Sequence, residues 1–223
     1  MKVCTDACLF GAWVADLFYT NKLPLPNKVM DIGSGTGLLS LMLAQKVKAP
    51  IDAIEIDTQA YLQGTENIKA SIFKNDINTF HGPVELFAAN TLYDFIICNP
   101  PFYENQLKSS TIQKNVAMHN VALTLPQLAE AISNNLCANG KAAILLPYNR
   151  IVEAEKIFSN QFLFIAYQVN VQHKQSKNYF RTMFILSKKA VLKYSTTTII
   201  IKDYSNNYTP QFAYLLKDYY LNL

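Results

Sequence analysis

The sequence of 223 residues has no Cys-x-x-Cys pair, only 7 glycines, one tryptophan and no uninterrupted apolar run long enough to cross a bilayer. Its four cysteines, Cys4, Cys8, Cys98 and Cys137, are too sparse for a disulfide-stapled secreted domain. With three scattered histidines (His81, His119 and His173) they show no metal-ligand spacing, so no metal site is expected. No basic segment followed by an apolar core and a small-residue cleavage site opens the chain, and the expectation is a cytoplasmic protein without a membrane anchor. Internal repeats and low-complexity tracts are also missing.

Half of the residues are apolar and 12% are aromatic, too many for a disordered chain and enough for one sizeable core. We expect one domain over 1–223: a helical segment at 1–22, a core at 28–190, and an extra strand with a C-terminal helix at 191–223. Charge is unevenly spread. Residues 1–140 hold 9 Lys+Arg against 12 Asp+Glu, whereas residues 141–223 hold 11 against 4. The basic third suits a polyanionic partner, because each Lys or Arg beside a phosphate releases a condensed counterion.

Elements alternate as in a doubly wound α/β sheet, mostly parallel with an antiparallel strand at the edge. Thr5-Asp6 offers an N-cap to a helix running to Tyr19. Short apolar strands are expected at 28–33, 51–56, 84–87, 93–98 and 141–147, with helices at 38–47, 58–73, 125–137 and 152–159 between them. Two strand-like runs, 164–172 and 180–188, read as an antiparallel pair closing the sheet edge. A β-branched run at 196–202 adds a strand before a final helix at 210–221.

Asp31-Ile32-Gly33-Ser34-Gly35-Thr36-Gly37 falls where the first strand turns into a helix. The spacing G-x-G-x-G, with Leu38 next, misses the G-x-G-x-x-G fingerprint of NAD and FAD sites. Asp31 suits a cationic ligand group better than a pyrophosphate. Glu55 lies 22 residues after Gly33, at the end of the second strand, where a carboxylate accepts both ribose hydroxyls. Together Gly33, Gly35, Asp31 and Glu55 point to S-adenosylmethionine. Asp57, two residues on, reads as a helix cap.

Asn99-Pro100-Pro101-Phe102 follows the apolar strand 94–98. Asn before Pro is held out of the helical region, and two prolines remove two N–H donors, leaving a stiff turn that presents acceptors. The Asn99 side-chain oxygen and the Pro100 carbonyl can each take a hydrogen of one planar amino group while Phe102 stacks on its ring.

In its glycine turn and its Asn99-Pro100-Pro101-Phe102 segment the sequence resembles the class I methyltransferases that modify a planar exocyclic nitrogen. More narrowly, Met1-Lys2-Val3-Cys4-Thr5-Asp6-Ala7-Cys8-Leu9-Phe10-Gly11-Ala12-Trp13 is similar to the Met-Lys-Val-x-Thr-Asp-x-x-Leu-Leu-Gly-Ala-Trp opening of the tRNA adenine-N6 methyltransferases acting on valine tRNA. Leu38–Gln45, Glu66-Asn67 and Arg181 add to the likeness, which extends in patches over nearly the whole chain. The resemblance implies that Asp31, Gly33, Gly35 and Glu55 hold S-adenosylmethionine, with Thr5 and Asp6 near its methionine end. It also implies that Asn99, Pro100 and Phe102 hold the target base. Tyr103, His119, Lys174, Lys177 and Arg181 are the candidate contacts to tRNA, and no obligate protein partner is inferred.

The departures from the family pattern lie at Pro83 and Val84, where an acid commonly contacts the adenine of the cofactor, and at Met118 in Ala117-Met118-His119, where the family often has Arg. The family also tends to carry a basic, aromatic segment ahead of the Met-Lys-Val block, which here stands at Met1. The alternatives left open are a methyltransferase on guanine N2 or a glutamine amide, which would use the same acceptors, and a non-catalytic RNA-binding relative.

Overall fold

The computed structural model describes residues 4–87, 91–100 and 123–222. Eight strands form one sheet in the order β3-β2-β1-β4-β5-β7-β6-β8. They are β1 (Val29–Ile32), β2 (Ile51–Glu55), β3 (Ile77–His81), β4 (Tyr93–Cys98), β5 (Leu136–Pro147), β6 (Phe164–Lys174), β7 (Tyr179–Ser187) and β8 (Ser195–Lys202). The described helices are α1 (Thr5–Tyr19), α2 (Leu38–Ala44), α3 (Thr58–Ala70), α4 (Leu125–Asn135), α5 (Ile151–Asn160) and α6 (Pro210–Leu216).

β1 and β2 are buried at every position, which fits their short, mainly apolar runs; the acids among them, Asp31, Asp52 and Glu55, are buried too. Each face of the sheet has its own core. On one side α1, α2 and α6 cover Phe95, Ile97, Leu145, Val169, Met183 and Ile199. On the other, α4 and α5 cover Met30, Ile96, Ile144 and Phe184. α1 is buried almost all round, from Ala7 through Ala15, and its Phe18 meets Phe95 edge-on with ring centroids 4.9 Å apart. Local signals set several helix starts. Asp57 caps α3 through the Ala60 N–H, and Thr124 with Gln127 forms a capping box ahead of α4.

Three expectations change. The cap of α1 is Cys4, whose side chain makes no capping hydrogen bond, because Thr5 and Asp6 are already helical. The third strand is Ile77–His81, and Val84–Leu86 is a 3₁₀ turn. β3 lies at the sheet edge with only Ile77 buried, so its polar composition conceals it, while Gly82 at φ 146° and Pro83 end the ladder before the apolar Val84. The two long strands do form an antiparallel hairpin, but β7 inserts between β5 and β6, and β8, parallel to β6, forms the edge. β7 is thus the strand that runs against the others.

The strand order reverses direction between β1 and β4, which are hydrogen-bonded neighbours. In open α/β sheets a ligand crevice forms beyond the carboxyl ends of the strands at this point.

Candidate active site

The chain leaves β1 through three residues with positive φ: Gly33 at 69°, Gly35 at 57° and Gly37 at 81°. A side chain is strained in that region, so glycine is what the loop requires. A Cβ built on Gly33 would meet nothing within 4 Å, which identifies the open side of the loop. The other side is closed by α3. The Asn67 side-chain amide donates to the Thr36 carbonyl at 3.0 Å, and a Cβ on Gly64 would lie 2.7 Å from the Gly35 carbonyl oxygen. Gly64→Ala must therefore displace backbone, and we expect the loop to shift. Cofactor affinity should fall on the order of tenfold with a destabilisation of about 1–3 kcal/mol, read by calorimetry and thermal melts. Unchanged affinity would show that α3 does not position the loop.

Glu55, buried at the end of β2, braces the loop from below. Its Oε2 accepts the Gly35 N–H at 2.7 Å and its Oε1 accepts the Asp57 N–H at 2.8 Å. Each oxygen has a second acceptor position, enough for two hydroxyls. Asp31 is fully buried in β1. Its Oδ2 accepts both the Ser40 N–H (3.1 Å) and hydroxyl (2.7 Å), while Oδ1 has no partner. Burial raises the Asp31 carboxyl to about 7; the Ser40 bonds act against this and the Glu55 charge adds to it. The Cys98 thiol, also buried, is pushed well up by burial and by the same two carboxylates. A site with two buried acids and an orphaned acceptor is arranged for a cation.

Cys98 is the register partner of Ile32, so Asn99 and Gly33 are the residues that follow the last paired positions of adjacent parallel strands. Asn99 is half-buried and Pro100 buried. Asp6, near the start of α1, comes to the same end of the sheet, where its Oδ2 accepts from Arg181 Nε at 2.8 Å. Arg181 stands opposite both Pro147 and Val171 in the ladder, at the carboxyl end of β5. This arginine thus holds the start of α1. Thr5 is exposed beside Asp6. Lys174 ends β6 and Lys177 lies in the β6–β7 turn. Phe102, Tyr103 and His119 lie outside the described residues, as does Met118. Of the departures, Pro83 is the residue from which the 3₁₀ turn starts and Val84 is buried, so neither supplies an acid.

S-adenosylmethionine fits this donor and acceptor set. Asp31 Oδ1 is an unpaired buried acceptor suited to a cationic group, Glu55 has acceptor positions for a ribose, and the open side of Gly33 leaves room for the ligand. Ser40 and Gly64 were not singled out from sequence. The signal for Ser40 was there: it is the lone polar side chain in Leu38–Ala44, and a hydroxyl inside an apolar helix needs a partner.

The profile of the methyltransferase small domain matches residues 4–126. A tRNA1(Val) (adenine(37)-N6)-methyltransferase of Dyadobacter fermentans is 36% identical over 99% of this chain and 91% of its own length. The chain belongs to this methyltransferase family. Relatives of the same name from Shewanella sp. (33% identical, covering 100% of this chain and 93% of the relative) and Trichodesmium erythraeum (34%, covering 99% and 91%) agree. Among solved structures, an Agrobacterium tumefaciens protein named as a predicted O-methyltransferase superposes with TM-score 0.72 at 14% identity over 95% of both chains. A glycopeptide N-methyltransferase complexed with S-adenosyl-L-methionine gives 0.58 at 10% identity over 79% of this chain and 93% of that one. Both show the class I methyltransferase fold. Among the described residues of this methyltransferase, no helix is long and apolar enough to cross a membrane.

Proposed function

We propose that this methyltransferase transfers a methyl group from S-adenosylmethionine to the exocyclic N6 of an adenine in tRNA. The adenine at position 37 of valine tRNA, which the relatives' names specify, is the target we assign to it. The observation that carries the reading is the placement of Asn99-Pro100 directly beside the glycine loop, at the switch point of the sheet. The cofactor supplies an electrophilic methyl group. The chain supplies position and acceptors. The amino nitrogen of adenine is a poor nucleophile because its lone pair is delocalised into the ring. The Asn99 side-chain oxygen and the Pro100 carbonyl, by accepting its two hydrogens, draw the nitrogen toward tetrahedral geometry and free the lone pair. Phe102 is proposed as the stacking surface for the base, and Tyr103 and His119 as further contacts to the tRNA. An adenine in an anticodon loop is only partly paired, so turning it out of the stack costs less than in a duplex. We place the enzyme where tRNA is modified, in the cytoplasm.

Guanine N2 and a glutamine amide present the same two hydrogens, so acceptor geometry does not separate them. The test is methyl transfer to three acceptors: an anticodon stem-loop with adenine after the anticodon, the same RNA with guanine there, and a glutamine-containing peptide. Transfer confined to the adenine RNA is expected. Transfer to the guanine RNA or the peptide alone would overturn the assignment.

A further inference from the structure

Between Glu155 and Asp203 the sequence has no acidic residue, and the Lys and Arg side chains there collect partly at the β6–β7 hairpin and the end of β8. Lys174 and Lys202 are register partners on parallel strands and so share one face of the sheet. Like charges facing across a ladder repel. The ion pairs among the described residues lie elsewhere, at Lys28–Asp52, Lys46–Asp218, Arg150–Glu153 and Arg181–Asp6, and none of them includes Lys174 or Lys202. Lys202 instead lies over the Tyr208 ring, 5.1 Å from its centroid. His173 precedes Lys174 in β6 and so belongs to the opposite face of the hairpin; it is exposed, and its ring stacks on Phe180 with centroids 3.7 Å apart and planes 10° apart. The tip is braced: the Lys177 N–H donates to the Lys174 carbonyl at 2.9 Å, and the Gln172 amide donates to the Lys177 carbonyl at 2.6 Å.

This edge stands on the same end of the sheet as Asn99. β5 runs three residues past Ile144, the register partner of Cys98, to Pro147, which faces Arg181 and through it Val171. The hairpin therefore rises about 10–20 Å beyond the end of β4 and about 15 Å to its side.

We propose that the β6–β7 hairpin and the end of β8 form the RNA-docking edge of the enzyme, where Lys174, Lys177 and Lys202 take backbone phosphates and His173, backed by Phe180, takes an unstacked base near the target. This rests on the tRNA reading above. The two facing lysines are costly in the free protein and favourable against a polyanion. A ring already stacked on one side and open on the other offers a nucleobase a surface that does not have to be ordered first.

The test uses a fluorescent anticodon stem-loop RNA, titrated at several KCl concentrations into the full chain and its variants. For Lys174→Ala/Lys202→Ala we expect RNA affinity at least about tenfold weaker at low salt, and a slope of log Kd against log salt reduced by about 1.4–1.8, two phosphate contacts' worth. For His173→Ala we expect a loss on the order of tenfold with the slope unchanged. Lys174→Glu, which places opposite charges across the ladder, should melt no lower than wild type while binding RNA more weakly, so lost binding is not lost folding. Wild-type affinity and slope in these variants, with methyl transfer by the wild type intact, would overturn the docking edge alone. No RNA binding and no transfer by the wild type would overturn the tRNA reading and this proposal together.

Discussion

Asn99→Ala lowers turnover by about 100- to 1000-fold, the usual loss when one preorganised hydrogen bond to the reacting centre is removed. The same variant leaves the dissociation constant of S-adenosylmethionine within about twofold of wild type, a change of less than about 0.5 kcal/mol. The reason is positional. Asn99 follows β4, outside the Asp31, Gly33, Gly35 and Glu55 set, so in the proposed role its amide meets the acceptor base, and it makes none of the hydrogen bonds by which Glu55 and Asp31 brace the glycine loop and the helix after it. Being half-buried at a strand end, it also contributes little to the core. Asn99→Asp keeps an acceptor oxygen and should retain more turnover than alanine. Single-turnover rates and calorimetry on the same preparations separate the two effects. Unchanged turnover, or a loss of cofactor affinity that accounts for the whole defect, would remove Asn99 from its assigned role.

Asp31→Asn should stabilise the free protein and weaken cofactor binding. The native carboxyl titrates at about 7 because it is buried, against about 3.9 for an unfolded Asp. Between these values the native state holds a proton that the unfolded chain has released, so it binds more protons and its stability falls as pH rises from about 4 to about 7. Above that range both states are ionised and the cost is constant. The amide removes this slope. At pH 8 the variant should gain on the order of 1–3 kcal/mol, after allowing for the two buried amide hydrogens left without partners where Oδ1 has none now. Cofactor binding moves oppositely. A cationic group beside Asp31 favours the ionised carboxyl, so affinity for S-adenosylmethionine in the wild type should rise through pH 7 and level off. In Asp31→Asn it should be flat over that range and weaker by about 10- to 100-fold at pH 8, the worth of one charge-assisted hydrogen bond. A wild-type affinity that does not change between pH 5.5 and 8, or equal affinities at pH 8, would contradict this role for Asp31.

The elements that build the site were legible because burial on both faces favours apolar residues: Val29–Ile32, Ile51–Glu55 and Tyr93–Cys98 are mainly apolar, turn residues mark their ends, and the acids that interrupt them include Asp31 and Glu55 of the site itself. The glycine turn and Asn99-Pro100 were legible for a related reason, since positive φ and missing N–H donors select glycine and proline. β3 was misplaced because an edge strand with one buried residue need not be apolar. The insertion of β7 between β5 and β6 was not readable either, because a hairpin's alternation fixes its partner and not which side of it meets the parallel strands. Contacts of long sequence separation were invisible to spacing arguments. Arg181 looked like a free phosphate contact until the fold brought it to Asp6, 175 residues away. Gly64 shows its purpose only when α3 lies against the Gly35 carbonyl.

In the proposed reaction the acceptors at the end of β4 receive an adenine amino group of tRNA. Its most direct test is transfer of a labelled methyl group from S-adenosylmethionine to unmodified total tRNA, followed by digestion to nucleosides and mass spectrometry. Label is expected in N6-methyladenosine and in no other nucleoside, and is lost in Asn99→Ala. Label in methylguanosine, in protein or in no product would contradict it.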